Sequence, residues 1–161
     1  IHRLPFISLR YANVYGPRQS PHGEAGVVAI FTGKMLDGEQ PVINGDGTQT
    51  RDYVYVGDVV KANMLALSCD GSAVFNIGTG RATSLNEIVK ALQKAFGNSI
   101  EPRHIENPVK EGYVMGQAAD ISKIRNVLGF KPSVKLEDGI LEQVKNIRLD
   151  RIQETSSDLF V

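Results

Sequence analysis

Arg51 is the side chain in this sequence best equipped to hold a charged group. A guanidinium presents a planar fork of N–H donors, stays ionised at any working pH, and matches phosphate or carboxylate in paired hydrogen bonds. It lies in Asp46-Gly47-Thr48-Gln49-Thr50-Arg51-Asp52-Tyr53-Val54-Tyr55-Val56, where a glycine-bearing turn runs into a β-branched and aromatic stretch. At the mouth of a strand, such an arginine serves as an anion clamp or as a surface salt bridge, and residue type alone leaves both open. Tyr53 and Tyr55 carry hydroxyls capable of general acid chemistry, but tyrosines alternating along a strand read first as half-buried packing residues. Asn13 reads as a turn former through its own side chain, or as a ligand donor. Gly78-x-Gly80-x-x-Thr83 imitates a dinucleotide-binding fingerprint, with Glu101 roughly 20 residues further on. Its third glycine is absent, and the capping-box spacing of Ser84 and Glu87 already accounts for a helix start, so it reads as a structural turn able to touch a ligand.

These residues need elements to hold them. Phe6 to Tyr11 alternates as a strand, with Phe6, Ser8 and Arg10 on one face and Ile7, Leu9 and Tyr11 on the other. A loop rich in Pro, His and Gly leads to Gly26, where a helix is expected with Val27, Ile30, Phe31 and Met35 as its buried stripe and Gly38 as its stop. Pro41 to Ile43 and Tyr53 to Val56 read as short strands. Asp58 reads as the N-cap of a helix burying Val59, Val60, Met64 and Leu67. Val74 to Ile77 predicts a strand, and Leu85, Ile88, Val89, Leu92 and Phe96 predict a helix closed by Gly97. Ile100 to Ile105 is a strand candidate that Pro102 assigns to an edge. Asp120 is the expected N-cap of a helix ending at Gly129, and Leu136, Ile140, Val144 and Ile147 share a face of the last helix. From Glu154 to Val161 there is no periodicity, and a frayed tail is expected.

Composition narrows the chemistry. With 161 residues the chain is short for a two-domain enzyme and long enough for one substantial core. A formal net charge of +0 with scattered basic residues argues against a nucleic-acid partner. The single cysteine, Cys69, allows no internal disulfide and fits a reducing, cytoplasmic setting. His2, His22 and His104 lack metal-site spacing, and no apolar run is long enough to span a bilayer. The opening Ile1-His2-Arg3-Leu4-Pro5 lacks both an initiating Met and a secretory pattern, which suggests a start inside a longer protein.

Arg10-Tyr11-Ala12-Asn13-Val14-Tyr15-Gly16-Pro17-Arg18-Gln19, Gly23-Glu24-Ala25-Gly26-Val27-Val28, the Arg51 turn and Asn76-Ile77-Gly78-Thr79-Gly80 stand in an order that resembles the extended short-chain dehydrogenase/reductase family, and within it the nucleotide-sugar 4-epimerases. The likeness runs from Leu4 to about Arg148 and matches only the C-terminal half of such an enzyme. It implies an α/β fold: the end of a Rossmann-type parallel sheet plus the small α/β substrate-binding domain, with residues 1–153 as the substrate-binding portion and 154–161 as a flexible tail. The family's Gly-x-x-Gly-x-x-Gly turn and Tyr-x-x-x-Lys pair have no counterpart in the sequence; Tyr11, Tyr15, Tyr53, Tyr55 and Tyr113 are followed four residues on by Tyr15, Gln19, Gly57, Val59 and Gln117.

The resemblance also implies roles. Asn13 would hydrogen-bond a UDP-sugar near its phosphates, Gly26 and Val27 would present backbone N–H groups to the diphosphate, and Arg51 would clamp it. Val42 and Asn44 would hold the base through backbone groups, with Leu85 packing nearby and Tyr11 beside the nicotinamide of NAD. Where the family has Arg-x-Gly-Asp, this chain has Lys110-Glu111-Gly112-Tyr113; Lys110 supplies a point charge, whereas Tyr113 cannot replace a carboxylate accepting from ribose hydroxyls. The expected parent is a homodimeric, NAD-dependent epimerase. The alternatives are a dehydratase, decarboxylase or reductase on the same scaffold, a non-catalytic nucleotide-binding module, or an inert fragment whose exposed apolar face self-associates.

Overall fold

Short parallel strand pairs carry the architecture. In the computed structural model, which describes residues 4–22, 26–109 and 111–157, β1 (Ile7–Tyr11) pairs in parallel with β6 (Ala73–Ile77), Ile7 opposite Ala73 and Tyr11 opposite Ile77. Further on, β2 (Asn13–Tyr15) pairs in parallel with β5 (Tyr53–Tyr55), and β3 (Val42–Asn44) with β8 (Arg103–Ile105). Among the described residues only β4 (Thr50–Arg51) and β7 (Thr83–Ser84) run antiparallel. Parallel pairs require crossover connections. Helices α1 (Val27–Leu36), α2 (Val56–Ala66) and α3 (Leu85–Phe96) lie within these crossovers, and α4 (Ser122–Leu128) and α5 (Leu136–Ser157) follow. The chain is an α/β protein.

Strand β5 divides the apolar interior. Tyr53 and Tyr55 join Tyr15, Val28, Phe31, Ile43, Ile88, Leu92, Ile140 and Val144 on one side. Val54 joins Val59, Phe75, Ile77, Ile124 and Phe130 on the other. The strand is buried on both faces, so its sequence shows no polar alternation.

Helix α3 forms as its sequence dictates. Ser84 Oγ accepts from the Glu87 N–H at 3.2 Å while Glu87 Oε2 accepts from the Ser84 N–H at 2.8 Å, and Gly97 closes the helix at φ +69°. Gly129 ends α4 in the same left-handed way, at φ +66°. In α1 the buried face is broader than expected: Val28, Ala29 and Thr32 are buried beside Phe31 and Met35, while Val27 and Ile30 are only partly covered.

Four expectations are corrected. Asp58 is not an N-cap; α2 begins at Val56, and the Asp58 side chain, fully buried, accepts from the Ser133 and Val134 N–H groups instead. The buried face of α2 is Val59, Ala62 and Ala66, and Val60, Met64 and Leu67 are 56%, 62% and 81% exposed. Small residues let α2 approach the sheet closely, and the larger apolar ones fall on its outer side. Asp120 does not cap α4 from the N-cap position, which Ile121 holds; its Oδ1 accepts from the Ser122 N–H at 2.9 Å in an Asx turn. Of the expected tail, residues 154–157 are helical as the end of α5, and residues 158–161 lie outside the described residues.

Candidate functional site

An open cleft of about 350 Å³ lies where β2, β5 and the start of α1 meet. Its walls include Asn13, Tyr15, Gln19, Gly26, Val27, Gln49, Arg51, Tyr53, Leu85 and Tyr113. Gln49, Arg51 and Tyr53 stand at alternate positions along an extended run and therefore share a face. The intervening Asp52 points the other way.

Helix α1 brings its N-terminus to this cleft. Gly26 is the N-cap with extended backbone at φ −69°, ψ 148°; among the described residues no side chain caps the first turn, and no acidic residue occupies it. The leading N–H groups of a helix are unpaired within it and carry the positive end of its dipole. A Cβ at Gly26 would stand 2.9 Å from Gln19 Nε2, so a side chain there would displace the Gln19 carboxamide. Gln19 in turn donates to the Val14 carbonyl at 3.3 Å, and its Oε1 is buried without a partner among the described residues.

Arg51 is held rather than free. Its Nη1 donates to the Thr50 carbonyl at 2.7 Å and to the Val114 carbonyl at 2.8 Å, and its guanidinium carbon lies 5.8 Å from the Tyr113 ring centroid. Among the described residues, Nη2 and Nε have no protein acceptor, which leaves one side of the fork for an anion. Burial pushes the Tyr53 hydroxyl up to about 12, with the Arg51 charge opposing it, and burial likewise raises Tyr15 well above the ordinary tyrosine value. Both stay protonated near neutrality. Among the described residues the cleft walls hold no Ser, Cys, His, Asp or Glu. Donors from Arg51 and the start of α1 thus stand beside apolar walls, and among the described residues the lining offers no nucleophile and base pair.

Asn13 also borders a second hollow with Arg10, Tyr11, Asp52, Asn76 and Asp120. The Tyr11 hydroxyl donates to Asn63 Oδ1 on α2 at 3.0 Å, outside the lining of that hollow. Of the residues singled out in the sequence, Asn13, Gly26, Val27, Arg51 and Leu85 thus come together, and Tyr11 stands in the adjoining hollow. Val42 and Asn44 do not line the cleft; the Asn44 carbonyl accepts from Gln49 Nε2 at 2.8 Å, one residue removed from it. Lys110 lies outside the described residues, as do Gly23, Glu24 and Ala25. Gln19, Gln49 and Tyr15 were not foreseen as lining residues. Strand alternation from Arg51 would have found Gln49.

Among the described residues no group of His, Cys, Asp and Glu could hold a metal ion, and no described helix is long and apolar enough to cross a membrane.

The chain has relatives both in sequence and in fold. The model of the NAD dependent epimerase/dehydratase family matches residues 2–78. UDP-glucose 4-epimerase of Mycolicibacterium smegmatis is 46% identical over 138 residues, covering 85% of this chain and 44% of that protein. The crystal structure of UDP-glucose 4-epimerase from Thermotoga maritima with UDP-glucose superimposes with a TM-score of 0.84 at 49% identity, over 91% of this chain and 47% of that one. Thermus thermophilus UDP-glucose 4-epimerase, solved in complex with NAD, superimposes with a TM-score of 0.78 at 39% identity, over 90% of this chain and 47% of that one. The chain spans about half the length of the relatives it matches. Sequence and fold agree over that half, and the chain belongs to the NAD-dependent epimerase/dehydratase family.

Proposed function

We propose that this chain is the C-terminal, sugar-nucleotide-binding part of an NAD-dependent nucleotide-sugar 4-epimerase of the UDP-glucose type, and that it is not catalytically complete alone. The observation that carries the reading is the convergence of Arg51, Asn13 and the uncapped N-terminus of α1 on one cleft. A diphosphate fits that donor set, because charged hydrogen bonds and the helix dipole act on it together. Leu85, Val27 and Tyr113 supply the apolar walls that a nucleoside and a sugar ring need. Val42 and Asn44 would act on the base at one remove, through Gln49.

The Tyr11 hollow, with the amides of Asn13 and Asn76 beside an exposed aromatic ring, fits a carboxamide-bearing ring such as nicotinamide. When bound, NAD supplies the hydride chemistry that interconverts hydroxyl and ketone at the sugar. This chain's part is positional. Arg51 and the α1 N–H groups hold the diphosphate as a pivot, so the sugar can present either face without leaving the site.

The test is a titration of the full-length protein with UDP and with UDP-glucose, followed through the amide signals of Val27 and Val28 and the side-chain signal of Arg51. Perturbation of all three at one affinity is expected. Signals that stay unmoved at millimolar UDP would sink the reading. Product analysis with several sugar nucleotides then distinguishes epimerase from dehydratase, decarboxylase and reductase.

A further inference from the structure

We infer that Asp52 is a positioning residue: its buried carboxylate sets the geometry of the Arg51 clamp by tying the clamp strand to the Gly78–Gly80 turn and to the segment that carries Tyr113. This rests on the nucleotide reading above for its ligand, and on geometry alone for the positioning.

Asp52 is only 2% exposed and takes four donors. The Thr79 N–H reaches Oδ1 at 2.9 Å and Oδ2 at 3.0 Å, and the Thr79 hydroxyl reaches Oδ1 at 2.6 Å. The Gly80 N–H reaches Oδ2 at 2.9 Å and the Ala119 N–H at 3.1 Å. The backbone carbonyl of Asp52 accepts a further bond from the Asn13 N–H at 2.9 Å. One residue therefore joins the strand bearing Asn13, the turn after β6, and the stretch before α4.

The location gives these bonds their consequence. At Asp52 the chain leaves β4, paired with β7, and enters β5, paired with β2. The angle between these pairs sets how Arg51 stands relative to Tyr53 and Asn13. The segment from Tyr113 to Ala119 runs beside the same strand: Arg51 Nη1 donates to Val114, the Thr50 N–H donates to Met115 at 2.8 Å, and the Gln117 N–H donates to Thr50 at 3.2 Å. Asp52 closes that run at Ala119. The carboxylate thus anchors the far end of the segment that holds the guanidinium in place.

Gly78 shows how tightly the arrangement is built. A Cβ there would stand 2.5 Å from Asp52 Oδ2 and 2.8 Å from the Ala119 Cβ, so only glycine admits the carboxylate. The glycine pair that imitates a dinucleotide fingerprint is here a cradle for an anion belonging to the protein itself. Every group facing the carboxylate is a donor, so an amide in its place turns one N–H against another.

The experiment compares Asp52→Asn with Asp58→Asn in the full-length protein. Asp58 is a second buried carboxylate with several donors, and it lies away from the cleft, so it controls for general loss of stability. The ligand-free readout is the Arg51 Nε–H signal, which reports how the guanidinium is held. The ligand readout is affinity for UDP against affinity for uridine. Asp52→Asn should move the Arg51 signal and weaken UDP about tenfold while changing uridine less than about twofold, and combining it with Arg51→Ala should add little to Arg51→Ala alone. Asp58→Asn should lower the melting temperature and leave both readouts in place. Should Asp52→Asn fail to fold, Thr79→Val, which removes one donor, is expected to shift the same readouts in the same direction by less. An Arg51 signal and UDP affinity unchanged by loss of the Asp52 or Thr79 group would overturn the inference, as would equal losses in Asp58→Asn. If the unaltered protein binds no UDP, the nucleotide reading falls by itself and the Arg51 signal alone decides the positioning.

Discussion

Arg51 and Tyr113 meet across the cleft, the guanidinium carbon 5.8 Å from the ring centroid, while Nη1 of the same arginine is held by the Thr50 and Val114 carbonyls. The contact combines a cation and a π face with backbone bonds, and it fixes a side chain that would otherwise lose rotamer entropy on binding an anion. Removing the guanidinium in Arg51→Ala should raise the UDP dissociation constant of the full-length protein at least about tenfold, since a charged, fork-shaped contact is lost. Isothermal titration checks it, and wild-type affinity in the variant would rule out the clamp. Tyr113→Phe should preserve stability, and Tyr113→Leu should cost about 0.5–1 kcal/mol in denaturant unfolding, the range of a partly exposed cation–π contact.

The reciprocal bonds between Ser84 and Glu87 make the start of α3 a separate test. Ser84→Ala removes the acceptor of the Glu87 N–H and should destabilise the chain by about 1 kcal/mol. Ser84→Asp keeps an acceptor and should recover most of it. A melting curve for Ser84→Ala that overlays the wild type would show that β7, which also contains Ser84, holds this start without the cap.

Asp58 should make stability fall in acid. Burial pushes its carboxyl up, but the hydrogen bonds from Val134, Lys61 and Ser133 outweigh burial and hold it below the ordinary aspartate value. A value lowered in the folded state means that the contribution is full above the unfolded value of about 3.9 and is lost as pH falls through the folded one. Unfolding free energy followed downward from neutral pH should therefore drop below about pH 4, and Asp58→Asn should be less stable at neutrality with a shallower acid slope. Identical slopes in the two proteins would assign the acid loss to other carboxylates.

The outer face of α2 predicts association when the chain is produced by itself. Val60, Met64 and Leu67 are exposed, and Leu4 and Phe6 beside β1 are exposed as well. Among the described residues β1 pairs only with β6, so one edge of that strand offers unpaired backbone groups. Sedimentation should show mass rising with concentration, and a Met64→Glu/Leu67→Glu double variant should reduce it. A monodisperse monomer at high concentration would contradict the expectation.

Local rules were sufficient for some elements and insufficient for others. The capping box, the 3.6-residue apolar stripe and the terminal glycine determine α3 from sequence because every bond involved lies within a few residues. The C-terminal end of α4 at Gly129 and the core pair Ile140 and Val144 of α5 follow from the same local logic. Arg51 was legible as a candidate anion clamp from its chemistry, the family resemblance put Asn13, Gly26, Val27 and Leu85 beside it, and the fold brings all five to one cleft. What the sequence by itself determined, then, was the existence of the helices, the family resemblance and the residue types that line the cleft. Only the tertiary structure decided the role of the carboxylates. Asp58 has the composition of an N-cap, yet its donors come from Ser133 and Val134, which no local pattern connects to it. Asp52 stands next to the clamp in sequence but answers Thr79, Gly80 and Ala119. The face that α2 buries was likewise decided by which side of the helix met the sheet, because Ala62 and Ala66 fit a close contact that Met64 and Leu67 do not. Spacing along the chain encodes bonds made within a turn or along a strand; a buried charge is satisfied by whatever donors the fold brings to it from afar.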